Sequence, residues 1–257
     1  MGEIILRGEF LMNELEKLGQ DLARLGVKSG DAVLVHSSMK ALGTGLTPEQ
    51  VLDCLQTFLG EEGTLLVPAL TYENVNQEHP KFDSQETQPC IGLLPRTFWK
   101  MPGVERSTHP THSVCARGRL AHRLTVGHEM DDTAVGPHSP FMQLAVVGGK
   151  LLFIGDVLEA CTFMHGIEAI VKPPCLRETP ETYLVNGEAR RYIGMSDFGW
   201  GSEFQRIGDI LEEPDIRRGK LLEANAYLID ARALLAVGLM KMRAEPYSFV
   251  TDISQWI

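Results

Sequence analysis

The sequence predicts an α/β protein of three layers, in which helices cover both faces of a central mixed, largely parallel sheet. Short apolar runs typical of buried strands alternate along the chain with amphipathic helical patterns, as in parallel sheets covered on both faces. The chain has 257 residues, of which 44% are apolar, enough for one large core. No repeat, low-complexity tract or obvious linker divides the sequence, so we expect residues 1–257 to form a single domain.

The first quarter of the chain predicts two helices and two buried strands. Leucines spaced 4-3-4-3 over residues 11–25 predict an amphipathic helix. GVKSGDAVLVHSS then predicts a turn and a short apolar strand that ends near His36. Residues 47–60 predict a second helix, because Thr47 is a favourable N-cap, proline follows it, and Gln50 completes a capping box. The apolar run at 63–70 predicts the second buried strand.

The middle of the chain is more polar. Residues 72–90 predict a long loop over a site, since irregular stretches of this length are uncommon unless they serve a function. IGLLPRTFW predicts a helix that Pro95 kinks or delays, and HSVCARG predicts a short strand. SPFMQLAVVGG predicts a helix that has Ser139 as its N-cap and ends at glycine.

The second half predicts two more strands, three helices and a hairpin. KLLFIGD predicts a third buried strand, and ACTFMHGIEAIV predicts the helix that follows it. Asn186-Gly187 between two β-rich runs predicts a β-hairpin, which we expect to form a small subdomain in the last third of the chain. SEFQRIGDILEE predicts a capped helix, and NAYLID predicts a strand followed by a closing helix with Asp230 as its cap.

Charge and cysteine content narrow the class of protein. The chain has 34 acidic and 24 basic residues, a formal net charge of −10, which favours cationic partners over nucleic acid or an anionic membrane. Its five cysteines are scattered without a C-x-x-C pair, which is typical of reduced thiols. No signal peptide or bilayer-spanning apolar run is present in the sequence, so we expect a cytoplasmic protein.

The predicted helix after the third strand contains the most suggestive pair of side chains. On a helical wheel, Cys161, Thr162, His165 and Glu168 lie on one face, opposite an apolar face, and the helix follows the carboxyl end of a strand, where open α/β sheets bind ligands. Two interpretations are open at this point. The pair is either the ordinary polar face of a half-exposed helix, or a general base oriented by a carboxylate.

Two other segments concentrate polar side chains. VHSSMKALG is a strand-to-helix junction that offers hydroxyls and backbone N–H groups to phosphate, although a simple capped turn is the commoner explanation of such a junction. RSTHPTHSVCARG holds two histidines, and zinc coordination by His109, His112 and His165 is a competing interpretation. The proline between the first two histidines and the lack of a carboxylate or cysteine at ligand spacing argue against a metal site.

Five segments, in order and at matching spacing over residues 33–170, resemble the aminoglycoside 3-N-acetyltransferase family. They are VLVHSSMKALG, GTLLVPALTYE, RSTHPTHSVCARG, GPHSPFMQLAVVGGKLLFIG and CTFMHGIEA, the last similar to the catalytic helix of the family. The resemblance implies a three-layer fold, acetyl-coenzyme A (acetyl-CoA) as cosubstrate, no metal, and transfer of acetyl to an amine of an aminoglycoside or a related cationic amine. The last third of the chain matches less sharply.

The resemblance also implies roles for residues. His165 would be the general base, Glu168 its partner, and Thr71 a donor to the thioester oxygen. Coenzyme A (CoA) would be bound by the loop after the first strand and by the arginine-serine segment: His36, Ser37, Ser38, Met39, Leu42, Gly43, Arg106, Ser107, Ser113 and Val114. The cationic substrate would meet Tyr72 and acidic residues that flank the second strand and the GPHSP segment, of which we single out Glu73 and Asp132.

One departure from the family pattern leaves the chemistry open. Cys161 stands where the family often has asparagine, four residues before His165, so acyl transfer through a cysteine thioester competes with direct transfer, which we favour. Two further functions compete with acetyl transfer itself, namely non-catalytic binding of CoA or another small molecule, and metal-dependent amide hydrolysis. The sequence does not choose between a monomer and a homodimer, nor does it identify the amine.

Overall fold

A computed structural model describes residues 2–196 and 199–254, with side chains from residue 11 onward. Its helices are α1 (Gly2–Leu25), α2 (Pro48–Leu59), α3 (Leu93–Phe98), α4 (Ala121–Thr125), α5 (Pro140–Val147), α6 (Met164–Val171), α7 (Ile207–Ile210) and α8 (Ala231–Ala244). Its strands are β1 (Ala32–Ser37), β2 (Thr64–Pro68), β3 (Lys81–Phe82), β4 (Glu105–Arg106), β5 (Val114–Gly118), β6 (Lys150–Ile154), β7 (Arg177–Val185), β8 (Glu188–Ser196), β9 (Trp200–Ser202), β10 (Ile216–Leu221), β11 (Ala224–Asp230) and β12 (Val250–Asp252).

A seven-stranded sheet in the order β10-β11-β6-β1-β2-β5-β4 forms the central layer. β1 lies between β6 and β2 and is parallel to both. The outer pairings are antiparallel, so β11 and β5 run against the direction shared by the other five strands. The predicted mixed, largely parallel sheet between two helical layers is confirmed. Among the described residues, no helix is both long and apolar enough to cross a membrane.

The central strands are apolar throughout because both of their faces are buried. Along β1, Leu34 points into one core, whereas its neighbours Val33 and Val35 point into the other. Helices α4 to α8 pack on the Leu34 side, and α1 to α3 pack on the opposite side. Each fully buried leucine or valine contributes roughly 1.5–3 kcal/mol of transfer free energy, so the alternation fixes the register of the strand.

Several predicted helix ends are confirmed by their caps. The Thr47 hydroxyl accepts a hydrogen bond from the Gln50 backbone N–H at 3.3 Å, and the Gln50 side chain accepts one from the Thr47 N–H at 2.8 Å, which completes the capping box. The Ser139 hydroxyl accepts from Phe141 at the start of α5. Asp230 accepts from two backbone N–H groups at the start of α8. These contacts satisfy donors that a helix leaves free in its first turn.

The predicted hairpin is also confirmed. β7 and β8 are joined by Asn186 and Gly187, whose φ angles of 49° and 88° are both left-handed, as a two-residue hairpin turn requires. β3 adds to β7 as a third strand. This small sheet has a core of its own, which consists of Val75, Phe82, Tyr183, Val185 and Tyr192. The hairpin therefore packs around aromatic side chains that are separate from the two main cores.

Two sequence-based expectations were wrong in detail, and one strand of the central sheet was not predicted. Residues 202–213 form a short 3-10 turn and the four-residue α7, without the side-chain cap that was expected. Pro95 lies in the first turn of α3, where a missing N–H removes no helical hydrogen bond, so it causes no kink. Strand β10 was not predicted, because its four central residues are exposed and polar.

Candidate active site

A cavity of about 490 Å³ opens at the carboxyl ends of the three parallel strands. His36 and Ser37 at the end of β1 and Pro68 at the end of β2 form part of its wall. Four residues of the segment that follows β6 form another part: Val157, Glu159, Ala160 and Thr162. Apolar side chains dominate the rest of the lining. We call this the first cavity, and it lies where a parallel sheet offers free strand ends to a ligand.

A second cavity of about 270 Å³ lies between the β7–β8 hairpin and the loop that follows β2. Its wall includes Glu181, Tyr183 and Tyr192 from the hairpin. Three residues line both cavities, namely Tyr72, His112 and His165. The predicted general base therefore lies at the junction of two cavities, which is the position that a group acting between two bound molecules must occupy.

His165 and Glu168 form the hydrogen-bonded pair that the helical wheel predicted. Nδ1 of His165 lies 2.7 Å from Oε2 of Glu168, one turn apart on α6. The Glu168 side chain is only 5% exposed, whereas that of His165 is 39% exposed. Because an ionised carboxylate only accepts hydrogen bonds, Nδ1 of a neutral imidazole carries the proton and donates to it. Nε2 is then left with a free lone pair, as a general base requires.

Further histidines surround His165. The His112 ring contacts the His165 ring edge-on at 5.8 Å, and the His109 ring stacks on His128 at 5.0 Å. Burial, and then the neighbouring charges of His165 and His128, lower the pKa of His112 to about 3. Burial lowers the pKa of His128 to about 3 and that of His109 well below its usual value. These three rings are therefore neutral near pH 7 and place no positive charge beside His165.

The loop after β1 divides into two parts. His36 and Ser37 line the first cavity, and the His36 ring stacks on Phe153 at 5.0 Å. The Ser38 hydroxyl caps the 3-10 turn Met39–Leu42, which ends at Gly43 in the left-handed region with φ of 61°. Leu42 is fully buried in the core, and Met39 packs against it from the edge. Four of the predicted CoA-binding residues lie outside the lining of the first cavity: Ser38, Met39, Leu42 and Gly43. Their contacts with CoA stay a prediction.

Arg106 holds the long loop against the sheet. Its guanidinium donates to the carbonyls of Thr87 at 2.6 Å and Ala69 at 3.1 Å, and to the Ser113 hydroxyl at 2.9 Å. Ser107 bonds to Nδ1 of His128 at 2.9 Å. These two serines are buried, as is Val114, and none of Arg106, Ser107, Ser113 and Val114 lines either cavity. In the structure, Arg106 and Ser113 connect the long loop to the sheet. Direct contact of any of the four residues with CoA stays a prediction.

The predicted oxyanion donor Thr71 and the three predicted substrate-binding residues differ in whether they line a cavity. Tyr72 lines both cavities. The Thr71 hydroxyl is buried and donates to the Pro110 carbonyl at 2.6 Å, so this position does not support donation to a thioester oxygen. Glu73 and Asp132 are exposed and line neither cavity. Their contact with a substrate stays a prediction.

Cys161 does not share a helical face with His165, in contrast to the helical-wheel prediction. Helix α6 begins only at Met164, and Cys161 ends the preceding 3-10 turn. The side chain is fully buried in the core, and burial raises the pKa of the thiol to about 12. A thiol in this state is a poor nucleophile, because the thiolate is the reactive form.

The histidines do not form a ligand set in the described part of the chain, where no group of three His, Cys, Asp or Glu side chains is arranged to hold a metal ion. Nδ1 of His109 instead accepts hydrogen bonds from the backbone N–H groups of Thr111 and His112, at 3.2 and 3.0 Å. That nitrogen is therefore occupied by the turn that follows it.

Three hairpin residues of the second cavity were not among the predicted site residues: Glu181, Tyr183 and Tyr192. A signal was present, since a turn at Asn186-Gly187 fixes the pairing of the two strands and places Glu181 opposite Tyr192. Packing of this hairpin face over His165 was not predictable, because it depends on long-range contacts between separate sheets.

The chain is similar in sequence to known proteins. The sequence model of the family described as aminoglycoside 3-N-acetyltransferase matches residues 34–243. Aminoglycoside N(3)-acetyltransferase VII of Streptomyces paromomycinus is 34% identical over 260 aligned residues, which cover 88% of this chain and 90% of the relative.

Solved structures give the same result. The binary complex of AAC-IIIb with CoASH superposes with a TM-score of 0.74 at 26% identity, covering 88% of this chain and 95% of the other. A mutant of the aminoglycoside acetyltransferase AAC(3)-IVa in complex with a gentamicin superposes with a TM-score of 0.79 at 27% identity, covering 91% and 90% of the two chains. From the matched residues and the shared fold, the chain belongs to the aminoglycoside 3-N-acetyltransferase family.

Proposed function

We propose that the protein transfers the acetyl group of acetyl-CoA directly to an amino group of an aminoglycoside, at the 3-N position that gives the family its name, with His165 as the general base. The observation that carries the proposal is the position of the His165–Glu168 pair at the junction of two cavities. One cavity receives the acylated arm of CoA, and the other receives the amine.

The first cavity suits the acyl donor. Its walls are mainly apolar, with His36 and Ser37 as polar groups at the end of β1, and it reaches from the strand ends to His165. The pantetheine arm of CoA is a long, mostly uncharged chain that such a cleft can enclose. The solved complex of AAC-IIIb with CoASH supports CoA as the ligand of a protein with this fold. Acetyl-CoA is a cosubstrate in this proposal, and no metal ion is required.

The second cavity suits the amine. A protonated amine has no lone pair, so the substrate enters the reaction as the free amine, and its nitrogen attacks the thioester carbon. Nε2 of His165 takes the remaining extra proton as the new C–N bond forms. The C–S bond breaks, the CoA sulfur takes up the proton now held on Nε2 of His165, and CoA leaves as the thiol while the product is an N-acetyl amide. Glu168 stabilises the imidazolium form of His165 during this transfer.

A thiol-release assay with acetyl-CoA tests the proposal. We expect CoA release with sisomicin or gentamicin that depends on both substrates, and a single added acetyl group in the mass of the product. Lack of turnover with any amine, together with retained CoA binding, would instead favour a non-catalytic binding protein. Nuclear magnetic resonance of the product assigns the acetylated nitrogen, and acetylation elsewhere would refute the 3-N assignment alone.

A further inference from the structure

One face of the hairpin carries a carboxylate into the second cavity. Glu181 on β7 pairs directly with Tyr192 on β8, and Tyr183 and Gly194 lie two residues further along the same face. All four residues line the second cavity, together with His165. We call them the hairpin subsite. Their side chains belong to a different sheet from the one that positions the general base.

Two contacts hold the Glu181 carboxylate in place. The Tyr183 hydroxyl donates to Oε2 of Glu181 at 2.9 Å, and burial together with this hydrogen bond raises the pKa of Tyr183 to about 12, so the phenol stays a donor. Gly194 leaves room for the other oxygen, since a Cβ atom at this position would lie 2.3 Å from Oε1 of Glu181. A side chain at 194 would therefore displace the carboxylate.

The electrostatics of the second cavity favour a cation. Among its described lining residues are two carboxylates, Glu168 and Glu181, and neither lysine nor arginine. Glu168 is already paired with His165, so Glu181 is the lining carboxylate that is not committed to the proposed base, and its Oε2 accepts from Tyr183. The Tyr192 hydroxyl is also buried in this wall without a hydrogen-bond partner among the described residues, and that side chain is only 5% exposed. A polar ligand group satisfies such an atom.

We propose that the hairpin subsite binds a second ammonium group of the substrate, with Glu181 as its counter-ion, while His165 deprotonates the amine that reacts. The inference rests on the proposed function, because it assumes that the second cavity holds the amine substrate. It adds that one amino group of the substrate other than the reacting one stays charged and is bound by Glu181. Glu181 is thus a specificity residue and takes no part in bond formation.

The substitution Glu181→Gln tests the subsite with little change in shape, because the amide oxygen still accepts from Tyr183. We expect the KM for sisomicin to rise about tenfold, as loss of a charge-assisted hydrogen bond implies. The KM for acetyl-CoA and the turnover of a monoamine such as glucosamine should change less than twofold. Gly194→Ala keeps the charge but displaces it, so we expect a similar rise in KM for sisomicin.

Glu188→Gln is the matched control. Glu188 lies on the same hairpin, is exposed, pairs with Arg190 and lines neither cavity, so this change of charge should alter the KM for sisomicin less than twofold. Equal KM values for Glu181→Gln and the wild type would overturn the proposal. So would an equal effect of the Glu188 variant, because the effect would then report net charge alone.

A binding experiment separates this proposal from the proposed function. Calorimetric titration of sisomicin, gentamicin and spermidine into His165→Ala and into the double variant His165→Ala/Glu181→Gln needs no turnover. We expect a Kd about tenfold higher in the double variant and a weaker dependence of Kd on salt. If the double variant shows this loss but the wild type releases no CoA, the transferase proposal fails and the subsite stands. If none of the three ligands binds, the subsite proposal is wrong.

Discussion

Nδ1 of His165 lies 2.7 Å from a carboxylate oxygen of Glu168, and the same imidazole faces two separate cavities. The carboxylate fixes which ring nitrogen carries the proton, and the position of the ring determines which molecules the other nitrogen can reach. Helix α6 thus sets the orientation of the His165 ring, whereas the strand ends and the hairpin form the cavities through which ligands reach it.

Substitution of the proposed base, His165, should slow the chemical step. We expect His165→Ala to lower kcat by about 10²–10⁴-fold, the usual effect of losing a general base, with little change in CoA binding by calorimetry. Glu168→Gln should have a smaller effect, and it should move the acid limb of the kcat/KM profile to lower pH, because the negative charge that favours the protonated imidazole is lost. An unchanged profile would show that the two residues are not coupled.

Substitution of the buried cysteine should distinguish direct transfer from a covalent path. We expect Cys161→Ser to keep most activity, since the thiol is buried, protonated and absent from both cavity linings. Cys161→Ala provides a control for the cost of a buried hydroxyl, which destabilises a core by roughly 1–3 kcal/mol. A loss of turnover as large as that of His165→Ala, together with an acetylated protein in mass spectrometry, would instead establish the thioester route.

Replacement of His36 tests whether its ring serves the ligand or the fold. The buried Nε2 atom of His36 has no hydrogen-bond partner among the described residues, and the ring lines the first cavity. His36→Phe keeps an aromatic ring stacked on Phe153 and removes the unpaired nitrogen. We expect an unchanged or higher Tm, because a buried unsatisfied polar atom destabilises the fold, and a severalfold higher KM for acetyl-CoA. A normal KM would place His36 among the structural residues.

The buried histidines should make the fold sensitive to mild acid. The pKa values of His36 and His128 are lowered to about 3, and that of His109 is lowered as well, chiefly by burial. An unfolded histidine titrates near 6.5, so below that pH the unfolded chain binds more protons than the folded one and stability falls as pH falls. Between pH 7.5 and 5.5 each of these residues should lower the free energy of unfolding by about 1 kcal/mol.

Urea unfolding followed by circular dichroism at these two pH values measures the effect. Carboxylates stay largely ionised over this range, so the histidines dominate the difference. His128→Asn retains a polar group beside Ser107 and removes one of the titrating rings, and it should therefore reduce the loss of stability. Equal free energies of unfolding at both pH values would contradict the prediction.

Local patterns in the sequence predicted much of this molecule. The apolar runs of β1, β2 and β6, the capping box at Thr47 and the turn at Asn186-Gly187 are each determined by neighbouring residues, and the structure contains all of them. Helix α6 was less predictable, because the wheel extended it back to Cys161. Its true start at Met164 depends on the 3-10 turn before it, which has no strong signal in the sequence.

The two cavities were harder to predict because their walls come from distant segments. Glu73 and Asp132 were selected for their closeness in sequence to motif residues, yet both are exposed. Glu181 lies 16 positions beyond His165 and reaches the same cavity only because the hairpin folds back over α6. Conversely, Arg106 and Ser113 resembled ligand contacts, but their hydrogen bonds connect the long loop to the ends of β2 and β5.

The separate aromatic core of the hairpin has an implication for how the substrate preference of this enzyme can change. Val75, Phe82, Tyr183, Val185 and Tyr192 stabilise the hairpin without contributing to either core of the central sheet. If the proposed function holds, variation on its cavity face can therefore alter which amines are accepted while His165 and the first cavity keep their geometry. Libraries that randomise Thr179, Glu181 and Gly194 should yield folded proteins with new amine preferences more often than libraries that alter α6.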